Sequence, residues 1–278
     1  MLGIGGSVMN TDNTNQQTER SEGRLVREQL SNALLGENPS QYFIELRKKD
    51  ALRPWFQEVA DLIGVEQSPV HHAEGDVWNH TMMVLEQSAR VRNKAKDPLG
   101  FMLGALTHDF GKIICTKVMD GRICSYEHEI KGLPLVQCFL QRLGFEPKRC
   151  AYVLELVQYH MRPNALGAQN SSIKTTNRLF DQVSDPLGLI CLAVADGRGK
   201  ESTLPYVSYE DFLMQRLAVY QEYLTRPSVT REELMEQLPP EVNLEEWMLF
   251  ARKLQLAGVD KKCALSQTLG QAKRNCKK

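Results

Sequence analysis

Residues 101–112 read FMLGALTHDFGK. Met102, Ala105, Leu106 and Asp109 fall at i, i+3, i+4 and i+7, one face of an α-helix, so an apolar stripe ends in a carboxylate. The pattern returns twice further along the chain. Val153, Leu156, Val157 and His160 repeat the spacing before Pro163, and Leu189, Leu192, Ala193 and Asp196 repeat it in a helix starting near Pro186. Val77, His80, Val84 and Val91 share a face of another helix, and residues 133–143 form one more, ended by Gly144. Period-two alternation is rare and confines strands to residues 113–118 and 122–125. The reading is all-α.

On the N-terminal side, Leu25, Val26, Leu30 and Leu34 recur at helical spacing, Pro39 opens a second helix, and a third closes at Gly64. Residues 1–23 are polar and predict a disordered tail. Helices are expected over 211–224, 231–238 and Leu244–Leu256, with Thr230 and Glu233 forming a capping box ahead of the second. Residues 261–278 carry six Lys or Arg and no acidic residue, and read either as a frayed basic tail or as a phosphate-contacting arm. The divisions are a tail at 1–23, packing helices at 24–70, a core domain at 71–200 and a smaller C-terminal helical region at 201–278.

The 278 residues carry 34 basic and 34 acidic side chains, which argues against a generic polyanion binder. The longest apolar stretch, residues 187–195, is far too short to span a bilayer, and the N-terminus lacks a signal-peptide pattern. Seven cysteines with no CxxC pair fit reduced thiols of a cytoplasmic protein. All six histidines lie between positions 71 and 160. That clustering marks a site.

A charged or imidazole group on a core-facing stripe is costly unless paired or coordinated. Separate helices each delivering one such group inward is how helical bundles build metal sites. His80, His108, Asp109 and Asp196 mix imidazole nitrogen with carboxylate oxygen, a set suited to a catalytic divalent transition metal rather than Ca²⁺. The competing reading makes each residue structural: a hydrogen-bonded core histidine, Asp109 as a helix cap, Asp196 as a turn residue before Gly197.

His80, then His108-Asp109 in THDFGK, then Asp196 in VADGRGK resembles the H…HD…D signature of HD-domain metal-dependent phosphohydrolases. The likeness extends to the HD domain of bacterial CCA-adding enzymes (tRNA nucleotidyltransferases). It runs through LIGVEQSPVHHAEGDVWNHT (62–81), GALTHDFGK (104–112), YEHEIKG (126–132) and VQYHMRP (157–163), with flanking likeness at 36–52 and 251–265. It covers roughly residues 25–265. The resemblance implies an HD-domain helical bundle with a smaller C-terminal helical appendage. It implies metal ligation by His80, His108, Asp109 and Asp196, and a second metal or a phosphate at His128, His160 and Arg198. Lys112 matches the lysine of the HDxGK stretch, implying contact with a phosphate oxygen, with a solvated helix-end lysine as the alternative. His71 lies in a matching segment, beside Glu74 and Asp76, without a firm role, and His72 reads as surface.

The family also carries a nucleotidyltransferase head with a glycine loop and a carboxylate pair. GIGGSVMNTD (3–12) has no such pair after it, so nucleotide addition is not expected of this chain alone. The resulting expectation is a metal-dependent phosphohydrolase acting on a nucleotide or RNA-terminal phosphate ester, with a 2′,3′-cyclic phosphate among the candidates. One or two ions of Mn, Fe, Ni, Co or Zn, with Mg as an alternative, would serve it. tRNA is a candidate partner, and no membrane is expected. The alternative is an RNA- or tRNA-binding module whose HD site is structural or degenerate, or one that works with a separately encoded catalytic partner.

Overall fold

Helix propensity and apolar spacing dominate this chain, and its computed structural model, which describes residues 11–70 and 72–275, is accordingly helical. In chain order the helices are α1 (Thr11–Leu35), α2 (Pro39–Lys48), α3 (Gln57–Asp61), α4 (Val77–Ala89), α5 (Pro98–Thr107), α6 (Lys112–Cys115), α7 (His128–Lys131), α8 (Leu133–Arg142) and α9 (Pro147–Tyr159). They continue with α10 (Arg162–Ala168), α11 (Ile173–Phe180), α12 (Pro186–Arg198), α13 (Glu210–Thr225), α14 (Arg231–Met235), α15 (Leu244–Leu256) and α16 (Lys261–Asn275). The single sheet among the described residues is an antiparallel ribbon between α6 and α7, β1 (Lys117–Met119) and β2 (Arg122–Cys124), with Val118 opposite Ile123. Among the described residues no helix is long and apolar enough to cross a membrane.

The chain divides into two units. The first holds the residues up to Met161 together with Leu187–Ser208, and the second holds Arg162–Pro186 and Tyr209 onward. In the first unit α5 is the central helix: every residue from Gly100 to Thr107 is buried, and α1, α4 and α9 pack around it. Its start is set by Pro98 at the first turn and by Asp97, whose carboxylate accepts from the Gly100 amide at 3.1 Å. Gly104 lets α9 approach closely, since a Cβ there would stand 3.0 Å from Leu156 Cδ1.

In the second unit Val229, Leu234, Trp247, Ala251 and Ala264 form a separate apolar cluster beneath α14, α15 and α16. The capping box at α14 is present in both directions, from Thr230 to the Glu233 amide and from Glu233 to the Thr230 amide.

Three expectations are corrected. The core domain is not contiguous, because residues 162–186 join the C-terminal region rather than the segment on either side of them. The cause is α11, which packs against α13 and α15 and ties Asn177 Nδ2 to the Leu256 carbonyl at 3.0 Å. Residues 11–23 belong to α1 rather than to a disordered tail. Leu30 and Leu34 anchor that helix in the core, and the Gln- and Glu-containing run before them propagates it. The basic segment beyond residue 260 is a packed helix, not a frayed arm: Ala264, Thr268, Leu269 and Ala272 form a buried stripe, and α16 packs on α15. Residues 1–10 of the expected tail, His71 and residues 276–278 lie outside the described residues.

Candidate metal centre

Five elements of the first unit each deliver one or two polar side chains to a common point. His108 is the C-cap of α5 and His160 the C-cap of α9, so each stands where its apolar stripe runs out. Asp109 follows His108 directly. His128 opens α7, His80 lies within α4, and Asp196 lies in the last turn of α12. All six are buried. Gly111 is needed for this assembly, because a Cβ there would overlap the His128 carbonyl oxygen and force α7 away.

Three of the histidines share one local device. His108 Nδ1 faces the Ala105 carbonyl at 2.8 Å, His128 Nδ1 that of Ser125 at 2.8 Å, and His160 Nδ1 that of Val157 at 2.7 Å. Each carbonyl belongs to the residue three positions earlier. His80 Nδ1 reaches the Gly199 carbonyl at 3.1 Å. A carbonyl oxygen only accepts, so each Nδ1 must donate, and in a neutral ring Nε2 is left as a lone pair. Those Nε2 atoms point at one another. His80 and His108 are 3.3 Å apart by Nε2, and His128 and His160 are 3.4 Å apart.

Asp109 stands between the two pairs. Its Oδ2 is 3.3 Å from His108 Nε2 and 3.6 Å from His80 Nε2, and its Oδ1 is 3.1 Å from His128 Nε2. Asp196 Oδ1 adds a carboxylate 3.1 Å from His80 Nε2. Ligand atoms of His80, His108 and Asp109 lie within 4.8 Å of one another, as do those of Asp109, His128 and His160. Lys112 Nζ forms an ion pair with Asp109 Oδ2 at 2.7 Å.

The electrostatics follow from this crowding. Burial pulls His80 down, but Asp196, Glu74 and Asp109 outweigh it and raise the ring to about 9. Burial and the neighbouring His108 and His128 rings drive His160 down to about 3. Burial opposes ionisation of Asp109, but Lys112 and His108 overcome it and hold the carboxyl well below the usual range. Against the same opposition, His80 and His108 depress Asp196 strongly. His128 is raised, because Asp109 outweighs the cost of its burial. The two ionised carboxylates thus face positive charge on the His80 and His128 rings and on Lys112, and a divalent cation that displaced the Nε2 protons would meet the same demand. A divalent cation fits that donor set. Imidazole Nε2 atoms, carboxylate oxygens and carbonyl-anchored Nδ1 atoms are what an N/O metal site requires.

Of the residues singled out in the sequence, His80, His108, Asp109, Asp196, His128 and His160 are brought together. Lys112 joins them as a largely buried residue, 13% exposed, bonded to Gln67 Oε1 at 2.8 Å rather than solvated at a helix end. Arg198 is exposed, and Lys200, two residues on, lines the cleft above the cluster. That cleft holds about 330 Å³.

His72 departs from its surface reading: its side chain is 15% exposed and its Nδ1 donates to Glu74 Oε1 at 2.7 Å. Glu74, 3% exposed, also faces His80 Nδ1 at 3.3 Å and accepts from the Glu201 amide at 3.0 Å. Burial opposes its ionisation, but the bonds from His80 and His72 lower it to about 2. Burial, with the nearby His80 and Lys112, lowers His72 to about 4. The signal for Glu74 and His72 was their place in the segment leading to His80, which alone does not say which side chains turn inward.

A multifunctional CCA protein of Alkalilimnicola ehrlichii (strain ATCC BAA-1101 / DSM 17681 / MLHE-1) is 30% identical over 213 residues, 73% of this chain and 49% of that protein. Proteins of the same name from Pseudomonas fluorescens (strain Pf0-1) and Pseudomonas aeruginosa (strain PAO1) are each 34% identical, over 178 and 147 residues. Those matches cover 62% and 50% of this chain, and 42% and 34% of the relatives. The chain is homologous to multifunctional CCA proteins. It spans less than half the length of the curated relatives it matches. No family model matches the chain.

Proposed function

We propose that this chain is a metal-dependent phosphohydrolase whose centre is the Asp109 cluster and whose substrate is a nucleotide or RNA-terminal phosphate ester. The observation that carries the reading is the position of Asp109 between two histidine pairs whose Nδ1 atoms are all committed to carbonyls. His80, His108, Asp109 and Asp196 would hold one divalent ion, and Asp109, His128 and His160 a second, with Asp109 shared. Such an ion supplies Lewis-acid activation of water and neutralises charge on the phosphoryl group.

The protein's own side chains do the rest. The carbonyl-anchored imidazoles keep fixed tautomers and orientations, so no reorganisation is required when substrate arrives. Lys112 and Lys200 place cationic groups in the cleft, where they attract the anionic ester and offset charge developing on its oxygens. Hydrolysis adds the oxygen of one water to phosphorus and breaks the P–O bond to the sugar hydroxyl. That hydroxyl leaves with a proton derived from the water.

Homology to multifunctional CCA proteins supports an RNA-related substrate, tRNA included, and the resemblance to the CCA-adding HD domain supports 2′,3′-cyclic phosphates. The test is elemental analysis of the purified chain, followed by a panel of nucleoside monophosphates, cyclic nucleotides and phosphodiesters. Mn²⁺, Fe²⁺, Co²⁺, Ni²⁺, Zn²⁺ and Mg²⁺ are added in turn. Metal-stimulated hydrolysis that vanishes in Asp109→Ala is the expected result. A chain that binds no divalent metal and hydrolyses nothing on the panel overturns the reading.

A further inference from the structure

The cleft has two chemically different parts. Its floor is the charged cluster with Lys112 and Lys200, and its rim carries Ile123, Tyr126 and Met161. Tyr126 is 65% exposed and Met161 45% exposed, although both are large and apolar in body. Each stands next to a proposed ligand in the chain: Tyr126 is two residues before His128, and Met161 directly follows His160. The segment from α6 through the β1–β2 ribbon to α7 begins at Lys112 and reaches His128, so the wall bearing Ile123 and Tyr126 is anchored in the floor at both ends. It is pinned by α6 packing on α7 and by a Thr116–Ser125 hydroxyl contact of 2.8 Å.

We propose that Tyr126, with Ile123 and Met161, forms a stacking platform for the base of the nucleotide whose phosphate occupies the floor. The platform makes the site selective for nucleoside phosphates over base-free phosphate esters. The proposal rests on the phosphohydrolase reading of the same cleft. A flat aromatic face held beside an anion-attracting floor matches the two halves of a nucleotide, a π-surface and a phosphate. Stacking of a base on an aromatic side chain is sequence-tolerant, because every base presents a π-face. The platform therefore accepts purines and pyrimidines alike, as an RNA terminus of variable identity demands, and Met161 offers a polarisable partner to the ring edge.

The test uses the full chain supplied with Mn²⁺. Nucleoside 3′-monophosphates and 2′,3′-cyclic phosphates are compared with the corresponding base-free ribose phosphates. In Tyr126→Ala the ratio of kcat/KM for nucleotides to kcat/KM for base-free esters is expected to fall on the order of 10-fold, mainly through KM, whereas Tyr126→Phe keeps the wild-type ratio. An unchanged ratio in Tyr126→Ala overturns the proposal. Equal damage from Tyr126→Phe also overturns it, because the hydroxyl rather than the ring face would then be what matters.

A second measurement separates this from failure of the underlying reading. Tyr126→Trp is titrated with adenosine monophosphate and with ribose phosphate, with and without metal. Saturable quenching by the nucleotide alone supports the platform even if the wild-type chain hydrolyses neither series. Absence of quenching sinks it.

Discussion

The two units bury polar side chains in different ways. In the second unit, polar groups near α11, α13 and α15 pair singly across elements, although Asn177 Oδ1 and Arg216 Nε find no hydrogen-bond partner. Asp181 accepts from Tyr220 at 3.0 Å and from Arg252 at 2.7 Å, and Asn177 donates to the Leu256 carbonyl. In the first unit, six buried imidazoles and carboxylates from five elements converge on one point, with His80 facing His108 and His128 facing His160 by Nε2. Polar groups paired singly specify packing, whereas ionisable groups crowded at one buried point are costly unless charge and hydrogen bonding are balanced among them. The difference teaches that burial alone does not mark a site; convergence of several buried metal-capable side chains on one point does.

Removing the shared carboxylate breaks the comparison most completely. Asp109→Asn keeps the shape and loses the charge, so both proposed ion positions fail together. Hydrolysis should fall below detection, and bound metal, read by elemental analysis, should fall with it. Thermal unfolding gives a second readout. Metal at about 100 times its Kd stabilises a binding-competent chain by about 2.7 kcal/mol, and that increment should vanish in the variant. A variant that retains the increment would place the ion elsewhere.

Leu234→Ala strikes the second unit instead. Leu234 is fully buried in its apolar cluster, so truncation should cost about 2–5 kcal/mol in chemical denaturation. Metal content of the folded protein should stay at the wild-type value. Loss of metal in this variant would show that the units do not separate the two kinds of polar burial as described.

Glu74→Gln sharpens the contrast from within the first unit. Glu74 faces His80 at Nδ1, on the side away from the cluster, and ties residues 72–74 to Glu201. In the proposed centre it would act as a positioning residue, through His80. Loss of such a carboxylate behind a metal-binding histidine typically costs 10–100-fold in metal affinity. A direct metal titration should show that drop with the unfolding midpoint of the metal-free chain little changed. Wild-type affinity in Glu74→Gln would leave the carboxylate as a loop clasp only.

The helices bearing the cluster were legible because one apolar stripe per helix was strong and ended in a single polar residue, as at Ala105, Leu106 and Asp109 or at Leu156, Val157 and His160. The convergence of those ends was legible only as a coincidence of several such stripes, and its geometry was not. The α10–α11 stretch was illegible because its buried face uses Thr176 and Asn177 beside Leu179 and Phe180, which hides the period. Glu74 and His72 were illegible for another reason. Their burial depends on pairing with residues 199–201, more than a hundred positions away. The packed face of α16 was masked by the lysines around Ala264, Thr268 and Ala272, since small residues contribute little to an apolar signal.

The smallest expected effect tests the second unit's satisfied polar groups one at a time. Thr230 accepts from the Glu233 amide while Glu233 accepts from the Thr230 amide at 2.8 Å, so two donors at the start of α14 are satisfied reciprocally. Thr230→Ala removes one arm and leaves the Glu233 amide without its cap. Caps of this kind are worth about 1 kcal/mol, and the loss should appear as a modest shift in the denaturation midpoint with unaltered slope. Thr230→Ser restores the hydroxyl and should recover most of the shift. Because the capping box and the apolar cluster beside it belong to the second unit, metal affinity should not move in either variant. A coupled change in metal affinity would mean that the polar networks of the two units are linked, and the contrast between them would have to be redrawn.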